Sequence, residues 1–97
     1  MTLLPGLLIA LLPLVVFPGG SMRLTCTVPR DARNRLLAYG IAEYSASERA
    51  LDGANAAITW LVWYPHLPAG VGLAYCAVTN DVGHVTRVTQ RFLMADP

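Results

Sequence analysis

Ninety-seven residues, 55% hydrophobic and 13% charged, allow one small domain and no second one. A formal net charge of +1 excludes the basic stripe that binds nucleic acid or anionic lipid. Two cysteines and two histidines, with no C-x-x-C pair, offer no metal-ligand spacing, and nothing implies a cofactor.

In chain order, the first segment is an uncharged apolar run from Thr2 to Phe17, broken by Pro5 and Pro13. It falls short of the roughly 20 apolar residues a membrane-spanning helix needs. The expectation is a secretory signal peptide over 1–21, with Gly19-Gly20-Ser21 as the small residues before a cut at Met22. An uncleaved anchor, which would add membrane association, is the second reading, and a true start at Met22 is a third. The first reading predicts a secreted protein whose single domain spans 22–97.

Leu24, Cys26 and Val28 alternate with polar residues, the period of a strand. Pro29 ends it and suits the first turn of a helix. The spacing of Leu37, Ile41 and Tyr44 predicts that helix over Asp31–Ser47, with Gly40 inside it where it approaches a sheet. Arg30, Arg33 and Arg35 read as its solvated start. Asp52-Gly53 marks a turn. Ile58 to Tyr64 is rich in β-branched and aromatic residues and reads as a strand. Pro65 and Pro68 take His66-Leu67 out of any ladder. Val71–Thr79 is a further strand, Asn80-Asp81-Val82-Gly83 a turn, and His84–Leu93 a last alternating strand. One helix packed on an antiparallel meander is an α+β plan.

Several segments together resemble the cystatins, inhibitors of papain-like cysteine proteases. Leu37-Ala38-Tyr39-Gly40-Ile41-Ala42-Glu43-Tyr44-Ser45 is similar to the helix motif of that family. His66-Leu67-Pro68-Ala69-Gly70 is similar to its first inhibitory loop, Q-x-V-x-G. Tyr44 and His66 lie 22 positions apart, close to the spacing in secreted cystatins. Arg87-Val88-Thr89-Gln90 resembles a stefin strand, and Phe17-Pro18-Gly19-Gly20-Ser21-Met22 resembles the family's amino-terminal trunk. The resemblance implies a cystatin-like fold whose last strand is missing, and reversible blockade of a protease cleft. It places protease contacts at Gly19, His66, Leu67, Pro68, Ala69 and Gly70. His66 stands where the family has glutamine and Pro68 where it has valine.

An even cysteine count in an exported chain invites a disulfide, here closing a loop of 50 positions. A cystatin-like sheet would instead hold Cys26 and Cys76 two strands apart, about 9–10 Å against a limit of roughly 7 Å. The resemblance therefore implies two free thiols. An immunoglobulin-like reading of Cys26, Trp60 or Trp63, and Tyr75-Cys76 is set aside on three grounds. The tyrosine adjoins the cysteine instead of preceding it by two, the tryptophan falls too late, and Leu36–Tyr44 reads as helical.

No nucleophile or acid–base pair has a partner at useful spacing, so the chain is read as not an enzyme. Trp60 and Trp63 read as core or interface aromatics. The functional expectation is a papain-like protease as partner. The alternative is an exported interaction protein without inhibitory activity, using an open sheet edge that also admits a dimer.

Overall fold

In the computed structural model, which describes residues 6–53, 55–63 and 67–96, every regular element is a strand. In order these are β1 (Leu8–Leu12), β2 (Val15–Val16), β3 (Met22–Val28), β4 (Asn34–Ile41), β5 (Ser45–Ala50), β6 (Ala57–Trp63), β7 (Gly70–Asn80) and β8 (Val85–Met94). The α+β expectation is corrected: the fold is all-β, with no helix among the described residues.

The segment expected as the helix Asp31–Ser47 is a hairpin of β4 and β5 joined by a turn at Ala42–Tyr44. The reason lies in the spacing. Leu37 and Ile41 are four apart, which suits one face of a helix and equally one face of a strand. Tyr39 decides between them. It pairs with Cys76 and packs on the core, so positions 37, 39 and 41 face inward at period two. Gly40 lies where the opposing strand comes closest, and a Cβ there would fall on the Ser45 carbonyl. Glu43, at φ 72°, reverses the chain in a conformation a helix cannot contain.

The strands form two sheets, β1-β3-β6 and β2-β8-β7-β4-β5. All neighbours are antiparallel except the short parallel contact of β2 with β8. Inward residues at period two (Leu24, Cys26 and Val28 facing Leu37, Ala74, Cys76 and Phe92) make one core between the sheets. The Phe92 ring lies over Gly72, leaving no room for a side chain there.

Residues expected to lie in a cleaved leader build two strands here. The chain runs along the first sheet as β1, passes Pro13, and joins the second sheet as β2. Leu7, Leu11 and Val16 are buried in the core at 8%, 3% and 1% exposure. The strands expected at Leu24–Val28, Ile58–Tyr64, Val71–Thr79 and His84–Leu93 are present as β3, β6, β7 and β8, shifted at their ends by at most two residues. Tyr64 and Pro65 lie outside the described residues.

Cys26 and Cys76 form a disulfide, with an S–S distance of 2.04 Å and a Cα–Cα distance of 5.9 Å. This corrects the expectation of two free thiols, which required both cysteines in one sheet. They sit face to face on β3 and β7, the middle strands of the two sheets. Both residues are fully buried.

Candidate binding site

The disulfide sets the geometry of one end of the sandwich. β3 and β7 run in the same direction from Cys26 and Cys76, so the loops that follow them emerge side by side. Asp31 and Asp81 each come five residues after their cysteine. The β3–β4 loop is tightened by the Arg33 N–H donating to Asp31 Oδ1 (2.9 Å) and the Asn34 N–H donating to the Asp31 carbonyl (3.0 Å). Arg35 Nη1 donates to the Ala32 and Asn34 carbonyls at 2.7 and 3.0 Å, satisfying loop oxygens that the ladder leaves over. In the β7–β8 loop, Asn80 Oδ1 accepts from the N–H groups of Val82 (3.1 Å) and His84 (2.9 Å). This is the local bonding that makes asparagine a turn residue.

The two loops are also tied to each other. The Asp81 N–H donates to the Arg33 carbonyl at 2.8 Å, and Arg33 Nε donates to Asp81 Oδ1 at 3.0 Å. The side chains of this pair are 57% and 37% exposed, so the ion pair adds at most about 1 kcal/mol. Its effect is to fix the relative position of the loops. Gly53, on the crossing from β5 to β6, packs against the same loop so closely that a Cβ would meet the Asp31 and Ala32 backbone.

Between the loops lies a cavity of about 230 Å³. Its buried wall is Leu7 and Val78, and its exposed rim is Asp31, Arg33, His84 and Thr86, with half-buried Asn34 and Asn80 between. Apolar depth with a polar rim of both charge signs suits one inserted side chain, since whole small-molecule sites run to roughly 300–1,000 Å³.

The residues that the cystatin resemblance singled out lie at the opposite end. Gly19 sits in the turn between β2 and β3 at φ 82°, beside the Gly20 N–H bond to the Phe17 carbonyl (2.8 Å). Gly70 opens β7 at φ 125° and pairs with Met94, whose other neighbour is Val16 of β2. The trunk glycine and the loop glycine therefore do share one end of the molecule. Leu67 is half-buried against the core, whereas Pro68 and Ala69 are exposed. His66 lies outside the described residues. No long helix stands behind this end among the described residues, so the wedge that the resemblance implied loses the scaffold it was read from.

The residues lining the loop-end cavity were not singled out as a site by the sequence. Arg33 read as a helix start, Asn80–Gly83 as a plain turn, and His84 as the first residue of the last strand; it is exposed. The available signal was the equal offset of Asp31 and Asp81 from the two cysteines, which has meaning only once the cysteines are bonded.

Taken together, the strand order and the bridge define a class. β1, β3 and β6 correspond to strands A, B and E of an immunoglobulin-type sandwich, and β5, β4, β7 and β8 to C′, C, F and G, with the disulfide between B and F. The reading set aside on sequence grounds is thus the architecture that forms. Its landmarks are altered: Tyr39, which pairs with Cys76 on the C-equivalent strand and packs on the core, stands where tryptophan is usual, and Ala74 occupies the position two before the second cysteine. No counterpart of strand D occurs among the described residues. Comparison with protein-family models, with curated proteins and with solved structures finds no match.

Proposed function

We propose that this chain is a non-catalytic recognition domain that binds a protein or peptide through the loop end, accepting one partner side chain between the β3–β4 and β7–β8 loops. The observation that carries the reading is the cross-brace of Arg33, which lines the 230 Å³ cavity, to Asp81 of the other loop. Loops already ordered by internal bonds lose little freedom on binding, and that preorganisation converts contact into affinity. Loops clustered at one end of a two-sheet sandwich are where such scaffolds carry recognition. A buried bridge that forms and persists under oxidising conditions supports work outside the cytosol, in an extracytoplasmic or extracellular setting.

The reading follows the interaction-protein half of the sequence expectation. The protease-inhibitor half rested on a helix and meander that the fold replaces.

Selection from a displayed peptide library against the immobilised oxidised chain tests the proposal. Enriched peptides should lose at least about tenfold in affinity with Asn80→Ala or His84→Ala, and should bind Val71→Lys, at the opposite end, as they bind the parent chain. Failure to enrich any peptide, or enrichment of peptides indifferent to the loop substitutions, refutes it.

A further inference from the structure

The two sheets have four outer edges among the described residues, and three are blunted. β2 is two residues long, β5 carries Glu48 and Arg49, and β1 stops after five residues at Pro13. Short length, charge and proline are the devices that keep sheet edges from pairing. β6 has none of them. Its seven residues, Ala57–Trp63, include no charge and no proline, and they pair with β3 in an unbroken register from Val28↔Ala57 to Met22↔Trp63.

The direction of its open hydrogen-bonding groups is fixed by one contact. Arg49, reaching across from β5, donates through Nη1 to the Ile58 carbonyl (3.2 Å) and to Thr59 Oγ1. The Ile58 carbonyl therefore points away from β3. By the alternation of a strand, the N–H and C=O groups of Ile58, Trp60 and Val62 all face the open edge. These three positions are symmetric about Trp60.

We propose that β6 pairs antiparallel with β6 of a second copy, about a two-fold axis at Trp60. This inference is independent of the loop-end reading. In that register Ile58 pairs with the partner's Val62, Trp60 pairs with its own copy, and six backbone hydrogen bonds form from edge-facing groups. The two three-stranded sheets become one of six strands.

Three features select a second copy as the occupant. The hydrogen-bonding positions are self-complementary under a two-fold axis. The strand is uncharged, so its copy brings no like-charge repulsion. Ile58 and Val62, 64% and 46% exposed in the single chain, become a β-branched cross-strand pair on each side of the axis. Leu8 and Leu12, 54% and 63% exposed, end the same two rows, beyond Thr27 and Arg23 of β3. Pairing consumes the open edge and stops at two. Seven residues a side is less than a standard interface, so the dimer is a weak one that dissociates on dilution. Arg49 competes for the Ile58 carbonyl and acts as a partial guard.

Sedimentation velocity over a concentration series of the full chain tests this, with near-ultraviolet circular dichroism to check folding. Ile58→Lys and Val62→Glu substitute exposed side chains, and each should raise the dimer dissociation constant at least about tenfold. The double variant sets the introduced lysine of one copy opposite the introduced glutamate of the other, on both sides of the axis, and should restore dimerisation. Arg49→Ala should tighten the dimer about threefold or more. A parent chain that stays monomeric up to about 1 mM overturns the proposal, since an edge pairing weaker than that leaves the strand effectively unpartnered. So do single variants that dimerise like the parent, or a folded double variant that stays monomeric.

Discussion

Replacing both bridged cysteines by alanine measures what joins the sheets. The bond closes a loop of 50 residues between the middle strands of the two sheets. In the chain-entropy treatment, removing it returns about 14 cal/mol/K to the unfolded chain, or about 4 kcal/mol at 25 °C. Both sulfurs lie in fully buried positions, so the two small vacancies add a further penalty on the order of 1 kcal/mol. A domain of this size has roughly 5–15 kcal/mol in total, so the loss takes a third of its stability or more. Urea unfolding followed by circular dichroism reads it directly. With a slope near 1.5 kcal/mol/M, the midpoint of Cys26→Ala/Cys76→Ala should fall by about 3 M relative to the oxidised parent. A shift below about 0.7 M, or two titratable thiols in denatured, unreduced parent protein, refutes the inter-sheet bridge and the strand order with it.

Leu37→Ala, at a fully buried position on β4, should lower stability by about 2–5 kcal/mol, measured by the same unfolding curves. Gly40→Ala should cost about 1–3 kcal/mol, because its methyl group falls on the Ser45 carbonyl; a parent-like melting temperature would show that β4 and β5 are not paired as described. A chain beginning at Met22 lacks β1, β2 and the buried side chains of Leu7, Leu11 and Val16, together worth on the order of 6 kcal/mol. It should show no cooperative thermal transition, and recovery of a stable, soluble domain starting at Met22 would refute the placement of residues 7–16 in the core.

Most of the strand content was legible, because β3, β6, β7 and β8 combine β-branched residues with turn chemistry at their ends. Two regions were not. Leu37 and Ile41 satisfy both periods, and the residue that separates the alternatives, Tyr39, is an amphipathic aromatic that either element accommodates. Asp31 and Glu43 flank the segment with charges that suit a helix as well as they suit hairpin turns. At the amino end, an uncharged run such as Leu7–Phe17 has the composition of a leader and also that of an inner strand. In this structure the run is paired, Leu11 beside Leu24 and Val16 beside Met94. The loop-end cavity was hidden for a different reason: none of its residues is unusual alone, and what assembles them is a disulfide between positions far apart in sequence.

The loop-end site and the β6 edge are oriented so that one does not obstruct the other. β6 begins at Ala57, beside Val28 and hence next to the β3–β4 loop, and runs away from the cavity toward Trp63. An antiparallel pair about Trp60 therefore turns the two cavities to opposite ends of the dimer. Each protomer measures 45 Å in its longest dimension, so the two cavities open far apart and face away from each other. One compact partner could not occupy both, so the proposed dimer would bridge two partners in place of clasping one. No residue of either site lies in the other, and the β3 and β7 strands that position the loops are locked by the disulfide whether or not β6 is paired. Coupling between sites requires a group whose state both ligands bias, and the contact that leads from the loop end toward β6, Gly53 against the Asp31 and Ala32 backbone, belongs to the crossing from β5 and not to the pairing positions 58, 60 and 62. Saturating the cavities with a selected peptide should therefore leave the monomer–dimer constant within about twofold, and dimerisation should leave peptide affinity unchanged by the same margin. A change of about tenfold in either direction would mean that the loops and the β6 edge move as one unit, contrary to the division of the molecule drawn from its strand order.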